Sequence, residues 1–214
     1  MTTAVRFCVV RHGETGWNAE HRLQGHIDIA LNATGIAQAH ASAAQLAGHR
    51  FDAAYTSDLA RAADTARIIA TQTGVPATPC AELRERHYGL FQGLTHDQAR
   101  SRHPEAYRRF EAREADFAFP DGGESLTGFA ARIHRAFDQL ADHHPGEQVL
   151  VVCHGGVLDI LYRRASARAL EAPRDFAIPN AALNWVVRDA TGWRIDAWAQ
   201  AAHLAAARDE LPNA

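Results

Sequence analysis

Val149-Leu150-Val151-Val152-Cys153-His154-Gly155-Gly156 is the stretch whose reading decides the fold. Its apolar run is too short for a buried helix and suits a strand covered on both faces; it then breaks into His-Gly-Gly, from which a helical stretch, Val157–Arg164, departs. The N-terminal run Val5–Val10 has the same form and ends in a polar cluster, Arg11-His12-Gly13-Glu14-Thr15. Between them the pattern alternates. Thr34 opens a helix as its N-cap, with Ile36, Ala39, Ala43, Leu46 and Ala47 on one face. Phe51–Thr56 reads as a strand, and Ser57 or Asp58 caps a helix carrying Leu59, Ala62, Ala66, Ile69 and Ala70. Val75–Cys80 is a weaker strand, limited by its prolines. The polar middle, His87 to Gly123, holds short helices such as Thr95–Arg102 and Glu105–Glu114. After Asp121-Gly122-Gly123 comes the clearest amphipathic helix, Ser125 to about His143, with Leu126, Phe129, Ile133, Phe137 and Leu140. Ala182–Arg188 and Trp193–Trp198 form a hairpin around Ala190-Thr191-Gly192. Strands alternating with helices mean βαβ units. The expectation is one α/β domain over residues 1–214, a three-layer α/β/α sandwich whose mostly parallel central sheet has helices on both faces.

Composition narrows the function. The 214 residues include 22 basic and 25 acidic side chains, a net charge of −3, and 47% are hydrophobic. Such a chain folds, and its mild acidity argues against a nucleic-acid protein held by a basic face. No apolar run approaches the ~20 residues of a membrane helix. Met1–Val10 is broken by Arg6 and lacks a small-residue cleavage site, so no secretory signal is expected. Cys8, Cys80 and Cys153 are odd in number and two lie in strand-like runs, which fits reduced thiols in the cytoplasm. Thirteen histidines invite a metal reading, but HExxH, CxxC and carboxylate-flanked His pairs are absent from the sequence, and no metal is expected.

Ligands of open α/β sheets bind beyond the carboxyl ends of the strands. Two strands running into His12-Gly13 and His154-Gly155 would set two imidazoles at one sheet edge, with the start of a helix after His154 favouring an anion. Arginine beside histidine repels a metal ion and suits phosphoryl transfer, whose transition state spreads negative charge over oxygens that guanidinium forks bind bidentately. Imidazole can itself be the nucleophile. That route needs no divalent metal.

The ordered motifs carry a resemblance. Arg11-His12-Gly13-Glu14-Thr15 with Trp17-Asn18, then Arg22-Leu23-Gln24-Gly25 with Asp28 and Leu31, then Thr56-Ser57-Asp58-Leu59-Ala60-Arg61-Ala62 stand in sequence. Leu83-Arg84-Glu85-Arg86-His87-Tyr88-Gly89, Gly122-Gly123-Glu124-Ser125 and Val152-Cys153-His154-Gly155-Gly156-Val157 complete the series. Over nearly its whole length the chain resembles the histidine phosphatase superfamily, which includes cofactor-dependent phosphoglycerate mutase. The resemblance implies a phosphoglycerate mutase-like fold, His12 as the nucleophile, and Arg11, Asn18, Arg61, His154 and Gly155 around the phosphate. It implies Glu85 as the general acid for the leaving oxygen. A second ring nitrogen of His12 donating to a backbone carbonyl would keep the attacking nitrogen unprotonated. Gln24, Gly25, Tyr88, Arg108 and Arg109 are the candidates for the rest of the substrate, although Arg108 and Arg109 also lie among Glu105, Glu111 and Glu114 as a solvated helix face would. Glu14 contacts substrate or braces Arg11.

Within the family the chemistry forks. Glu85–Gly89 and Tyr107-Arg108-Arg109 resemble the mutase versions of their segments. Against that, only Phe110–Gly123 fills the place of the long mutase insertion, and Thr95-His96-Asp97 stands where a mutase has a lysine. Val157-Leu158-Asp159 departs from the usual V-I-R. An open site admits water. The reading is a metal-independent, cofactor-free phosphomonoesterase acting on a small phosphorylated metabolite, cytoplasmic, monomeric or homodimeric, without nucleic-acid or membrane partners. The alternatives are a bisphosphoglycerate-dependent phosphoglycerate mutase and, in another class, a non-catalytic module that binds a phospho-ligand; retention of both His12 and Glu85 weighs against the last.

Overall fold

In the computed structural model, which describes residues 3–205, the apolar runs pair at the centre of one sheet. The strands are β1 (Val5–Arg11), β2 (Ala53–Thr56), β3 (Thr78–Pro79), β4 (Gln148–Cys153), β5 (Leu183–Asp189) and β6 (Gly192–Gln200), in the order β3-β2-β4-β1-β5-β6. The first four are mutually parallel; β5 runs against β1, and β6 against β5. β1 and β4, the two most apolar runs, lie side by side with Arg11 opposite Cys153. Being covered on both faces, they lack the alternation of a half-exposed strand. The Val75–Cys80 strand shrinks to the edge pair Thr78–Pro79, since proline donates nothing to a ladder.

The helices are α1 (Gly16–Ala19), α2 (Ala33–Leu46), α3 (Ala60–Thr73), α4 (His96–Arg102), α5 (Pro104–Glu111), α6 (Leu126–His143) and α7 (Gly155–Ala165). On one face of the sheet, α6 and α7 bury Phe129, Ile133, Phe137, Leu158 and Leu161 against Phe7, Val9, Val149 and Val151. On the other, Ala39, Ala43 and Leu46 of α2 and Ala62, Ala66 and Ile69 of α3 cover Cys8, Val10, Leu150 and Val152. The three-layer α/β/α arrangement follows. Each apolar face at helical period takes one side of a sheet whose two sides are both apolar. A third cluster packs Leu23 against Phe91, Tyr107, Phe117 and Phe119 from the polar middle of the chain.

Helix starts correct two sequence readings. The N-cap of α2 is Asn32, whose side chain accepts Gly35 N–H at 2.8 Å, and not Thr34. Its inward face turns with it: Gly35, Gln38 and Ser42 are buried, whereas Ile36 is 44% exposed and Ala47 faces solvent. Neither Ser57 nor Asp58 caps α3, which starts after Leu59; the side chain of Asp28, remote in sequence, accepts Ala60 N–H at 2.7 Å. The capping boxes of α1 (Thr15 with Asn18) and α4 (Thr95 with Gln98), and the Ser125 cap of α6, close their helices locally.

Candidate active site

The register of β1 and β4 fixes the positions of the two histidines at their carboxyl ends. His12 and His154 come one residue beyond the Arg11–Cys153 pair, with ring centroids 5.2 Å apart and both side chains buried. His12 Nδ1 donates to Gly13 O at 2.7 Å, which names the carbonyl that the sequence left open and turns Nε2 into the unprotonated atom. Burial, then Arg61 and Arg11, hold the His12 imidazole well below its ordinary pKa. His154 is depressed likewise, by burial, Arg61 and His12. Both rings are neutral at pH 7. The Ser57 hydroxyl lies 2.8 Å from His154 Nε2; with Ser57 donating, the remaining proton of the neutral ring sits on Nδ1.

Two guanidinium groups join them. Arg61, fully buried on the inner side of α3, donates to Gly25 O at 2.7 Å and Ile27 O at 3.0 Å. Arg11 donates to Ile178 O at 2.8 Å and packs on Gly155, where an added Cβ would stand 3.5 Å from its Nε and Cζ. Burial brings the Arg11 pKa down to about 10, opposed by Glu85. Among the described residues, Arg11 Nε, Arg61 Nε and His154 Nδ1 are buried and have no hydrogen-bond partner. Three buried donors without an acceptor, two of them on arginines and one on an imidazole, are the chemistry that an anion would satisfy. Asn18 borders it. Its amide oxygen accepts from Thr15 N and Oγ1 at 3.1 Å each, leaving the NH₂ end as donor.

Glu85 approaches from the loop after the single-turn helix Ala81–Leu83. Its Oε1 accepts Arg86 N–H at 2.8 Å and its Oε2 accepts Gly156 N–H, at the start of α7, at 3.0 Å. A Cβ at Gly156 would lie 2.2 Å from Glu85 Oε1, so glycine at this position lets the carboxylate stand against the start of α7. Tyr88 stands near Glu85, its ring edge-on to Phe119 at 5.7 Å, and burial pushes its phenol up, so it stays neutral. Gln24 is buried; Gly25, at φ +54, supplies the carbonyl that holds Arg61.

The structure does not bring Arg108 and Arg109 to this cluster. Arg108 pairs with Glu105 at 2.7 Å on the outer surface of α5, both largely exposed, and Arg109 pairs with Glu114 at 2.5 Å over the Phe117 ring. Glu105 lies one turn before Arg108 on α5 and Glu114 just past the helix end, so both arginines meet carboxylates at the surface. Glu14 accepts Asn32 Nδ2 at 2.5 Å and so steadies the cap of α2. Sequence reading missed the supports: Ser57 behind His154, Asn180 donating to His12 O at 2.8 Å, and Ile178 O beneath Arg11. Ser57 lay inside the Thr56–Ala62 motif, and Pro179-Asn180 just before a strand was a turn signal. Asp159 is buried between Arg113 (2.8 Å) and Arg163 (3.1 Å), and those arginines hold Leu170 O and Ala169 O. The departure from arginine at this position thus anchors the loop that ends on Arg11 and His12.

Known proteins share this arrangement. The chain is 42% identical over 201 residues to phosphoglycerate mutase-like protein 4 of Arabidopsis thaliana, covering 92% of this chain and 85% of that one. It is 42% identical over 198 residues to the metal-independent phosphoserine phosphatase of the same plant, covering 92% and 82%. The fold superposes on Bacillus stearothermophilus YhfR with a TM-score of 0.87 at 30% identity, covering 94% of this chain and 99% of that one. The family model for branch 1 of the histidine phosphatase superfamily matches residues 7–201, a span that takes in both imidazoles, both arginines and the carboxylate. Paired imidazoles, arginine donors and sequence thus agree, and the chain belongs to the histidine phosphatase superfamily.

Proposed function

We infer that the protein is a phosphatase that hydrolyses a small phosphomonoester through a phosphohistidine on His12. The observation that carries this is the trio of buried donors, Arg11 Nε, Arg61 Nε and His154 Nδ1, around a neutral imidazole whose Nδ1–H is already committed to Gly13 O. His12 Nε2 attacks phosphorus as the bond to the alkoxide oxygen breaks. Arg11, Arg61, Asn18, His154 and the start of α7 at Gly155 take the charge on the three equatorial oxygens. Protonated Glu85 gives its proton to the departing alkoxide, worth about 10²–10⁴ in rate. Water then attacks the phosphohistidine as Glu85 takes back a proton, releasing phosphate and free His12. No metal or cofactor enters the scheme.

Hydrolysis over transfer to a second hydroxyl is supported by the short Phe110–Gly123 link and by the phosphatase among the relatives. That relative makes phosphoserine the first compound to try, with Gln24, Gly25 and Tyr88 nearest the rest of the substrate. Residues 1–214 are taken as one domain, working in the cytoplasm as monomer or homodimer; three unpaired thiols support that compartment, and no helix among the described residues is long and apolar enough to cross a membrane. Phosphate release from a panel of phosphomonoesters in excess EDTA, with conversion of 3- to 2-phosphoglycerate followed alongside, tests the reading. Release without isomerisation, an acid-labile phosphoenzyme, and loss of both in His12→Ala are expected. Full turnover by His12→Ala, or isomerisation that needs a bisphosphate primer, overturns it.

A further inference from the structure

Glu85 is held by its main chain as firmly as by its carboxylate. Its carbonyl accepts from His26 Nε2 at 2.8 Å and from Arg132 Nη2 at 3.2 Å. Arg132 also donates to Glu82 O at 2.7 Å and Arg84 O at 3.0 Å and grips both oxygens of Glu124 at 2.8 Å, tying the acid loop to α6. His26 has a different connection. Its chain neighbours Gly25 and Ile27 supply the two carbonyls that hold Arg61, and its own N–H donates to Gln92 Oε1 at 2.7 Å. A carbonyl only accepts, so His26 Nε2 carries the proton, and burial together with His87 and Arg132 keeps the ring below its ordinary pKa and hence neutral. The ring is steadied edge-on against His87, centroids 4.8 Å apart, and His87 in turn accepts Gly89 N–H on Nδ1. One residue thus lies between both anchors of a phosphate-binding arginine and also holds the peptide of the carboxylate on the leaving-group side.

We propose that His26 is a positioning residue, which sets the proton donor in register with the phosphate by coupling the segment that clamps Arg61 to the main chain of Glu85. This rests on the reading of Glu85 as the acid. In the first half-reaction the His12–phosphorus bond forms, the phosphorus–oxygen bond breaks, and the Glu85 proton goes to the leaving oxygen. An alkoxide needs that proton; a nitrophenolate leaves as a stable anion without it. A shift of the acid therefore harms one class of substrate and spares the other.

The test is single-turnover phosphorylation by an alkyl phosphomonoester and by p-nitrophenyl phosphate, with inhibition by inorganic phosphate measured alongside. His26 is half-buried in a loop, where truncation to alanine is expected to leave the fold intact. His26→Ala is expected to slow the alkyl substrate about tenfold or more, to slow p-nitrophenyl phosphate less than about threefold, and to leave the phosphate inhibition constant within about twofold. His26→Gln, whose amide reaches the same carbonyl, is expected to restore most of the alkyl rate; His26→Asn, one methylene shorter, is not. Equal slowing of both substrates, or no rescue by glutamine, overturns the proposal. Should the alanine variant fail to fold, the Gln–Asn pair decides alone. Glu85→Gln separates the two levels. If it fails to discriminate between leaving groups, the assignment of the acid is wrong; if it discriminates and His26→Ala does not, only the coupling is wrong.

Discussion

Alanine at position 156 tests where the acid stands. A Cβ there would lie 2.2 Å from Glu85 Oε1 and 3.1 Å from Phe129 Cε1, and ordinary contact begins at 3.4 Å. Phe129 is 1% exposed and fixed in the α6 face, so the carboxylate gives way, by about 1.2 Å on going from 2.2 to 3.4 Å. Glu85 is the free end of a flexible side chain, so this retreat costs the fold little. Alanine also recovers about 0.5–1 kcal/mol of backbone entropy in the first turn of α7. Stability is therefore expected to hold or rise slightly while catalysis falls. A misplacement of about 1 Å costs on the order of 10²-fold, so kcat/KM for an alkyl phosphomonoester should drop roughly 30- to 100-fold. The inhibition constant of inorganic phosphate should move less than about twofold, since Arg11, Arg61 and His154 are untouched. Steady-state rates, phosphate inhibition and urea unfolding of Gly156→Ala read all three. Activity within about threefold of the parent, or phosphate binding lost in proportion to rate, would refute the placement of the acid against α7.

Three further outcomes are expected from the same geometry. The depressed pKa values of His12 and His154 mean that, below pH 6.5, the unfolded chain takes up protons that the folded one refuses; stability is complete above about 6.5 and is lost as pH falls toward the folded values. Urea unfolding at pH 7.5 and 5.5 should therefore show a smaller pH-dependent loss in His12→Asn than in the parent; an equal loss would contradict the burial argument. Gly35→Ala would put a Cβ 2.0 Å from Glu14 O, main chain against main chain, and should lower stability by roughly 3 kcal/mol in urea. Asp159→Ala strands two arginines, one of them 1% exposed, and is expected to cost about 3–5 kcal/mol, read as a fall in Tm.

Legibility in the sequence depended on range. Val5–Val10 and Val149–Cys153 were readable as strands because continuous apolarity is a property of the run itself, and Leu126 to Leu140 announced α6 by period alone. Misreadings arose where a distant residue intervened. Ser57 looked like a helix cap but is engaged by His154, and Asp28 caps the helix from another loop. Ile36 fits an apolar face by spacing, yet the close approach of Gly35 to Glu14 rotates α2 and turns that side chain outward. In the site, Arg11, His12, Arg61, Glu85 and His154 were legible as motif residues. The carbonyls of Gly13, Gly25, Ile27 and Ile178 that orient them were not, because a carbonyl is common to every residue and only the fold selects which one is used.

For a growing chain, the pairing of β1 with β4 delays completion of the site. The two imidazoles lie at the ends of neighbouring strands, yet most of the polypeptide is synthesised between them. A nascent chain that has displayed His12, Arg11 and Arg61 lacks the second imidazole of the candidate site until Val149–Cys153 has emerged and paired beside β1. Register then decides the outcome, since a slip of one residue would send the histidine to the opposite face of the sheet. Long-range parallel pairing of this kind forms slowly, so the candidate site is assembled only when most of the fold is complete.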